Sequence, residues 1–460
     1  MEKEEFIKKV AKKILENKCD LFIGSGISSA SGMPSWKNLL EDLAKEIKLE
    51  INDEDDLKLI AQYIINANSG NNNKIRNKLK ECIKNDFPIN DNHRAIQNLN
   101  IKTIWTTNYD NLLEKTFEGK RICNIISSDS ELSSPKFEND LNIIKLHGCI
   151  NRDMKNIIIT QEDYDKFIFE KEAMAQKLRD TLLNKSILFL GYGYRDPDIR
   201  NIMIEAMKQA NNHTEEHFMI ITFDKKVGKG NLQKELRFDL WTKELQRLGI
   251  ETLVVDTYKA VTETLKEISL ASKGNSIFIT GSHDKVSSKK DFFKELGEKI
   301  VSIDKVILIN GQSEGVGTAV LTSFMTKLVQ DKKEIGKHLK FFPNPYAANK
   351  KYSNDDKLIP QLKKERQPLL ATVRIAIFFS GGMGTKAELE IAEENNCIII
   401  PGILEEKDYN NEVIKRIIEN RDILETIKKV DKDYYKLIID KKKISVDDLI
   451  GIIKKGIGNA

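Results

Sequence analysis

The sequence lacks the features that mark several classes of protein. Its five cysteines lie far apart and form no C-x-x-C pair, so neither a zinc ribbon nor a disulfide framework is indicated. Lys plus Arg (74) exceeds Asp plus Glu (70) by only four in 460 residues, which excludes a strongly basic nucleic-acid binder. No apolar run approaches the roughly 18 residues that a membrane span requires, and the charged start has no signal-peptide core. We therefore predict a soluble cytoplasmic protein with no metal, no nucleic-acid partner and no membrane segment.

Short runs rich in Ile, Leu, Phe and Val recur between longer charged segments of helical period. This alternation is typical of the α/β class, in which mainly parallel, Rossmann-type sheets are flanked by helices. The strand candidates form two series, separated by a small-residue stretch at 269–276. We therefore predict two domains, 1–271 and 276–460, with a helical insertion at about 45–95 in the first.

Polar and small residues follow several strands of the first series. A glycine loop after CDLFI contains Gly24, Ser25, Gly26 and Ser28. Because ligands in open α/β sheets bind at the carboxyl ends of strands, such loops are candidates for a nucleotide site. The later strand ends carry Asn108 and Asp110, then His147, then Gly191, Tyr192 and Gly193 before Asp196 and Asp198.

Each of these residues also has a structural explanation. Asn108 could satisfy a turn, His147 could be a hydrogen-bonded core histidine, and the Asp pair could cap a helix beginning near Pro197. A single G-x-G is a weak signal of a nucleotide site. The four signals in this order favour a functional interpretation over four separate structural ones.

The motifs G-S-G-I-S-x-x-S-G-M-P, T-T-N-Y-D, L-H-G and G-Y-G-Y-x-D-P-D, in that order, resemble the NAD-binding core of the sirtuin-like superfamily. The resemblance implies that the first loop holds the NAD phosphates, and we add the 191–193 loop to this nucleotide site. It also implies that Asn108 and Asp110 hold the ribose and nicotinamide side and that His147 is the general base. Asp110 could equally be structural.

Two departures from the sirtuin pattern weigh against protein deacylation. Sirtuin deacylases carry two C-x-x-C pairs after the histidine, whereas this chain has only Cys149 there, so zinc is not expected. The acidic residue and Phe-Arg that follow the first loop in sirtuins are replaced by Ser35 and Trp36. What remains is cleavage of the bond between nicotinamide and ribose, with NAD+ as the substrate.

The second half has its own glycine-rich strand ends, and its segment G-G-M-G-T-x-x-E-x-x-I-A resembles the signature of the SLOG family of nucleotide binders. A diphosphate ligand needs cations and backbone donors. We prefer Arg366 and Lys386 to Arg374 for this contact, because Arg374 lies inside a strand candidate. Glu388 and Glu390 could accept ribose hydroxyls. The predicted signal-binding residues are Gly281, Ser282, His283, Gly311, Ser313, Arg366, Gly382, Lys386, Glu388 and Glu390.

A sirtuin-like domain followed by a SLOG domain resembles the NAD-degrading effectors of Thoeris anti-phage systems. The resemblance implies a homotetramer that destroys NAD+ when its SLOG domain binds a cyclic ADP-ribose isomer made by a TIR-domain partner. Three alternatives stay open: an NAD-dependent protein deacylase, a constitutive NAD hydrolase, and a nucleotide sensor without catalysis.

Overall fold

The computed structural model describes residues 1–52, 55–83, 86–133, 140–152, 156–194, 196–210, 215–223, 232–342 and 359–458, except for the side chains of residues 168, 232, 283 and 359–362. The chain divides into two compact units, 1–268 and 269–460. Among the described helices, none combines the length and the apolarity that a membrane span requires.

The first unit contains a seven-stranded sheet in the order β3-β4-β2-β1-β5-β6-β7, and every described strand pairing in it is parallel. Its strands are β1 (Cys19–Ile23), β2 (Thr103–Thr106), β3 (Cys123–Ile126), β4 (Leu141–Lys145), β5 (Ser186–Leu190), β6 (His217–Thr222) and β7 (Ile250–Val255). Its helices are α1 (Lys3–Leu15), α2 (Ser25–Ser29), α3 (Trp36–Glu46), α4 (Leu57–Ala67), α5 (Asn73–Ile83), α6 (Asp91–Gln97), α7 (Leu112–Phe117), α8 (Asp129–Leu132), α9 (Gln161–Glu170), α10 (Glu172–Asn184), α11 (Pro197–Gln209), α12 (Leu232–Arg247) and α13 (Tyr258–Ala271), the last of which contains the unit boundary.

The second unit contains a five-stranded sheet in the order β10-β9-β8-β11-β12, again with parallel pairings. Its strands are β8 (Ser276–Thr280), β9 (Ile307–Asn310), β10 (Leu339–Phe341), β11 (Ile375–Phe378) and β12 (Ile398–Pro401). Its helices are α14 (His283–Ser288), α15 (Lys290–Ile300), α16 (Val316–Gln330), α17 (Ile335–His338), α18 (Ile359–Ala371), α19 (Met383–Glu394), a 3₁₀ helix (Glu406–Asn410), α20 (Glu412–Glu419), α21 (Arg421–Val430), α22 (Lys432–Ile439) and α23 (Val446–Gly458).

The two parallel sheets with their flanking helices confirm the predicted fold class. The central strands β1, β2 and β5 are buried at every residue, which explains why their sequences are continuous apolar runs. The strand β3 was not predicted. It pairs only with β4 at the edge of the sheet, and three of its four residues are half-buried, so its sequence lacks such a run.

The register of the first sheet brings four strand ends to one level. Ile23 at the end of β1 pairs with Thr106 on one side and with Leu190 on the other. Thr106 in turn pairs with Lys145, the last residue of β4. The loops after β1, β2, β4 and β5 therefore begin side by side. The strand order changes direction at β1 and β5, which is where open α/β sheets bind ligands.

Candidate active site

The loops that follow β1 and β5 pack directly against each other. The N–H of Gly24 donates to the Leu190 carbonyl at 2.9 Å, and the N–H of Gly26 donates to the Gly191 carbonyl at 2.8 Å. A Cβ atom on Gly24 or Gly26 would lie within 2.8 Å of the Gly191 carbonyl oxygen. Gly191 itself has a φ of 59°, which glycine adopts without steric cost. This close approach of two backbones explains the glycines in both motifs.

Three buried side chains from the β1 and β2 loops form a hydrogen-bonded chain. Asn108 Nδ2 donates to Ser28 Oγ at 3.1 Å, and Ser28 Oγ donates to Asp110 Oδ2 at 2.9 Å. The other Asp110 oxygen accepts the N–H of Leu112 at the start of α7. This chain fixes the orientation of the Asn108 amide. Its oxygen Oδ1 is buried without a hydrogen-bond partner among the described residues, so it is available to a ligand.

His147 follows β4 and is only 2% exposed. Its ring packs edge-on against Tyr164 and Phe167, with centroid distances of 5.2 and 6.1 Å. Burial lowers the pKa of His147 to about 4; the charge of Asp196 opposes this shift and that of Lys171 adds to it. The imidazole is therefore neutral near pH 7. Its Nε2 atom has no hydrogen-bond partner in the part of the chain that the structure describes.

Two buried lysines, which were not predicted as site residues, donate hydrogen bonds to the backbone of these loops. Lys145 Nζ donates to the carbonyl of Asp110 and, at 2.7 Å, to Glu114 Oε1. Lys171 Nζ donates to the carbonyl of Leu146 at 2.8 Å. Each ammonium group thus binds the backbone beside a predicted catalytic residue and helps to set its position.

A cavity of about 1170 Å³ opens at these strand ends. Most of the residues predicted for catalysis and for NAD binding line it together: Ser25, Gly26, Ser28, Asn108, Asp110, His147, Gly191, Tyr192 and Gly193. Gly24 is not among the lining residues, because it packs against the loop after β5. Predictions made from four separate motifs therefore converge on one cavity.

Several lining residues were not predicted as site residues, among them Trp36, Tyr164, Asp196 and Arg237. Asp196 belongs to a quoted motif, where a helix cap was one explanation of the Asp pair. Its side chain makes no capping bond and instead accepts the Tyr164 hydroxyl at 3.1 Å. Tyr164 and Arg237 lie on helices α9 and α12, and no motif marked them.

In the second unit, four of the residues predicted for the signal meet in one buried cluster. Arg366 donates from Nη1 to the Gly311 carbonyl at 2.8 Å and from Nη2 to Ser313 Oγ at 2.6 Å. Its Nε lies 3.4 Å from Glu388 Oε1. The other Glu388 oxygen accepts the Thr280 hydroxyl at 2.7 Å. The ends of β8 and β9 and the helices α18 and α19 are thus connected through one arginine.

Other predicted residues of the second unit lie apart from this cluster. Lys386 pairs with Glu412 at 3.4 Å, and Glu390 pairs with Lys363 and with Arg416. Lys386 and Glu390 are four residues apart on α19 and share a face, whereas Glu388 lies on the opposite side.

The remaining predicted residues stand in the strand-end loops. The N–H of Ser282 donates to the Ser380 carbonyl at 2.8 Å, and a Cβ atom on Gly281 would lie 2.7 Å from that of Phe379. Gly382 precedes the first residue of α19. His283 begins α14, and its side chain lies outside the described residues. Arg374 precedes β11, at the opposite end of that strand from the glycine loop.

No group of three or more His, Cys, Asp or Glu residues in the described ranges has a geometry that could hold a metal ion. The cysteines there are all free thiols. The polar side chains that line the cavity of the first unit carry amide, imidazole, carboxylate, hydroxyl, indole, ammonium and guanidinium groups.

Comparison with known families defines the class of protein. Residues 102–250 match the SIR2-like domain, and residues 260–457 match the Sir2- and TIR-associating SLOG family. The first match covers the strand ends that carry Asn108 and His147, and the second covers the Arg366 cluster. The chain is thus a SIR2-like domain joined to a SLOG domain.

Three curated relatives align with this chain, two of them over most of their length. The NAD(+) hydrolase ThsA of Cytobacillus dafuensis is 30% identical in an alignment of 438 positions that covers 87% of this chain and 85% of that protein. The NAD(+) hydrolase ThsA of Bacillus cereus (strain MSX-D12) is 27% identical in an alignment of 419 positions that covers 86% of each chain. Defense-associated sirtuin 2 of Bacillus subtilis is 24% identical over 225 residues, 47% of this chain and 22% of that protein. The chain belongs to the ThsA family of the Thoeris type.

Proposed function

We propose that the first unit hydrolyses NAD+ between nicotinamide and ribose. The observation that carries the proposal is the cavity in which Asn108 Oδ1 and His147 Nε2 are both buried without a partner among the described residues. Buried polar atoms of this kind are rare in proteins, and a catalytic role is one of the explanations for them. The two relatives named NAD(+) hydrolase ThsA support the same reaction.

The reaction converts NAD+ and water into nicotinamide, ADP-ribose and one proton. As the bond between C1′ and the ring nitrogen breaks, its electron pair goes to the ring, and positive charge moves to the ribose. Nicotinamide leaves as a neutral base, so no general acid is needed. The transition state resembles an oxocarbenium ion, which oriented dipoles stabilise best in a site that excludes bulk water.

The roles of the site residues follow from their geometry. His147, neutral near pH 7, takes the proton of the attacking water or of a ribose hydroxyl. Asn108 orients the ribose or the water through its amide oxygen, because its nitrogen is already bound to Ser28. Asp110 orients Ser28 and the ribose. The backbones of the loops that contain Gly26 and Gly191 approach the diphosphate, and no metal takes part.

We further propose that the second unit is the sensor of this enzyme. It binds a cyclic ADP-ribose isomer made by a TIR-domain partner, and this binding activates the first unit. Arg366 contacts the phosphates, Glu388 accepts a ribose hydroxyl, and the loops with Gly281, Ser282, His283, Gly311, Ser313 and Gly382 complete the pocket. Lys386 contacts a phosphate from outside the buried cluster, whereas Glu390, which pairs with Lys363 and Arg416 on the other side of α19 from Glu388, has no part in the pocket. The description of the matched family as Sir2- and TIR-associating supports a TIR partner.

The biological setting is part of the same proposal. The enzyme is a homotetramer in the cytoplasm and depletes cellular NAD+ during phage infection. The name of the Bacillus subtilis relative, Defense-associated sirtuin 2, supports a role in defence.

Nicotinamide release tests the proposal directly. Purified full-length protein is incubated with NAD+, with and without cyclic ADP-ribose isomers and with no peptide present, and nicotinamide is measured by chromatography. We expect release only when an active isomer is added. Equal release with and without every isomer contradicts activation and leaves a constitutive hydrolase.

A second arm separates hydrolysis from the remaining alternatives. If NAD+ is not consumed under any of these conditions, acetylated and longer-chain acylated peptides are added. Peptide-dependent nicotinamide release identifies a deacylase and overturns the proposal. If calorimetry shows that the isomer binds but nicotinamide is never released, the protein is a sensor without catalysis.

A further inference from the structure

Asp196 lies on the cavity wall, at the residue that precedes α11. An aspartate at this position usually accepts hydrogen bonds from the first N–H groups of its helix. Asp196 makes no such bond, and its Oδ1 atom accepts the hydroxyl of Tyr164 at 3.1 Å. Its carboxylate is therefore held by a different helix, α9, and is kept at the cavity.

Tyr164 places this carboxylate on the same side of the cavity as His147. Its ring packs edge-on against the imidazole, with 5.2 Å between the ring centroids, while its hydroxyl donates to Asp196. Tyr164 is only 7% exposed, and burial raises its pKa well above the usual value. The hydroxyl therefore stays protonated and remains a donor. The unpartnered Nε2 atom of His147 and the Asp196 carboxylate belong to one region of the wall.

Among the described residues, other charged groups near this region belong to several elements. Asp198 on α11 is buried, and burial together with the charge of Asp196 raises its pKa to about 7. The positive charge of Lys58 on α4 lowers the pKa of Asp198, and that of Lys171, which precedes α10, lowers the pKa of His147. At pH 6 the carboxyl of Asp198 is therefore mostly protonated and adds little negative charge to this region.

NAD+ and NADH differ in charge at one place. The nicotinamide ring is cationic in NAD+ and neutral in NADH, whereas the ribose, diphosphate and adenosine parts are the same. During hydrolysis the positive charge of the ring passes to the ribose. A carboxylate beside this end of the nucleotide therefore attracts NAD+ and its transition state but not NADH, and the attraction is strongest where water is excluded.

We infer that Asp196 is the counter-charge for the nicotinamide riboside end of NAD+ and selects the oxidised cofactor over NADH. The inference rests on the proposed function, because it requires NAD+ to bind with its nicotinamide beside His147. It assigns Tyr164 as a positioning residue, which holds the Asp196 carboxylate through its hydroxyl. The Asp196 carboxylate then attracts the cationic ring and stabilises the charge that develops on the ribose.

The test compares the binding of two nucleotides that differ in this charge. Binding of NAD+ and of NADH is measured by calorimetry at pH 6, in an Asn108→Ala background that prevents hydrolysis and leaves the contacts of His147 and Tyr164 in place. If nicotinamide release by the parent requires a cyclic isomer, that isomer is present at saturation. We expect Asp196→Asn to lower the preference for NAD+ over NADH by about 5- to 50-fold, through weaker NAD+ binding alone.

Two further variants separate charge from structure. Tyr164→Phe keeps the ring against His147 and removes the hydroxyl, so we expect a smaller loss of preference in the same direction. Asp198→Asn is the matched control, because it changes a neighbouring carboxyl that is already mostly neutral at pH 6; we expect it to leave the preference unchanged. An unchanged preference in Asp196→Asn, or an equal loss of NAD+ and NADH binding, overturns the inference.

The inference and the proposed function can fail separately. If the parent releases nicotinamide but Asp196→Asn keeps the full preference for NAD+, hydrolysis stands and the role of Asp196 is wrong. If the preference depends on Asp196 but no nicotinamide is released, the counter-charge stands and hydrolysis is wrong. If neither nucleotide binds and the parent releases no nicotinamide, both are wrong.

Discussion

Two regions of the molecule carry clusters of polar side chains at the carboxyl ends of parallel strands, and the two clusters differ in their internal bonding. In the first unit, Asn108 Oδ1 and His147 Nε2 are buried and have no partner among the described residues. In the second unit, Arg366 binds the Gly311 carbonyl and Ser313 Oγ and lies beside Glu388. The first cluster offers free atoms to a ligand, whereas a ligand of the second cluster has to replace bonds that already exist.

This difference matches the two tasks proposed for the units. A catalytic site gains from polar groups that are fixed before the substrate arrives, because they need no reorganisation during the reaction. A sensor has to change state when its ligand binds, and a ligand shifts an equilibrium only by its difference in affinity for the two states. About 5.5 kcal/mol of preference moves a population from 1:99 to 99:1. Replacing the bonds of Arg366 is one way to couple binding to such a change.

The largest expected effect concerns the cluster of the first unit, in which Asn108 Oδ1 and His147 Nε2 have no partner among the described residues. Replacing His147 with Ala removes the base, and we expect nicotinamide release to fall by about 100- to 10,000-fold. Asn108→Ala should cause a comparable loss by removing the group that orients ribose or water. Both changes should also cost some stability, because Asn108→Ala loses the hydrogen bond from Nδ2 to Ser28 and His147→Ala loses the ring contacts with Tyr164 and Phe167. Rates are therefore compared only for variants whose circular dichroism matches that of the parent. Release at the parental rate by either folded variant excludes that residue from the mechanism.

The Arg366 cluster of the second unit should respond mainly with a loss of stability. We expect Arg366→Met to destabilise the second unit by roughly 3–5 kcal/mol, because it leaves the buried Glu388 carboxylate without its cation. Chemical denaturation followed by circular dichroism measures this loss. Arg366→Met should also raise the concentration of cyclic isomer that is needed for activation, with little change in the rate measured without isomer.

A second substitution tests whether the loss comes from the unpaired carboxylate. In the double variant Arg366→Met, Glu388→Gln, the charge on residue 388 is removed and the amide still binds the Thr280 hydroxyl. We expect it to recover a large part of the lost stability but not the activation. If Arg366→Met alone unfolds at the parental denaturant concentration, the contacts of Arg366 do not stabilise the second unit.

Acid should also distinguish the two units. Burial lowers the pKa of His93, His147 and His217, all in the first unit, to about 4. Because these values lie below the 6.5 of an unfolded chain, the unfolded state binds protons first as the pH falls. The free energy of unfolding of the first unit is therefore unaffected by these histidines above pH 6.5. It falls between pH 6.5 and 4, by at most about 3 kcal/mol per histidine. The described side chains of the second unit include no fully buried histidine.

The tryptophans allow this to be measured in the intact chain. Trp36, Trp105 and Trp241 all lie in the first unit, so fluorescence reports on that unit alone, whereas circular dichroism reports on both. We expect the fluorescence transition on acidification to occur at a higher pH than the final loss of helical signal. His93→Gln should move the fluorescence transition to lower pH. Coincident transitions in the parent would mean that acid does not act first on the first unit.

Much of the fold could be predicted because the buried strands of parallel sheets are continuous apolar runs. The same property explains why β3 was missed, since an edge strand with half-buried residues has no such run. The convergence of Asn108 and His147 on one cavity could also be predicted, because parallel strands place their carboxyl ends together. The depth to which His147 is buried could not, because it depends on how α9 packs over it.

Other parts of the site depend on contacts between distant elements. Tyr164 and Arg237 reach the cavity from helices whose sequences carry no motif. The bonds of Arg366 to Gly311 and Ser313 span more than 50 positions of sequence. One feature of the second unit could be predicted from the sequence, however. Glu388 and Glu390 are two residues apart on a helix and so cannot share a face.

The smallest expected effect concerns Lys386, which lies on the surface near the buried Arg366 cluster. Lys386 is 47% exposed and pairs with Glu412 at 3.4 Å, so Lys386→Ala should change the stability of the second unit by less than about 1 kcal/mol. If Lys386 also contacts a phosphate of the signal, the same variant should weaken activation several-fold, and the loss should shrink as salt is added. Glu412→Ala removes the partner but keeps the cation, so it serves as the matched control and should leave activation unchanged or slightly improved. A Lys386→Ala enzyme that is activated like the parent at low salt removes this residue from the signal site, and the buried cluster around Arg366 then has to hold the phosphates alone.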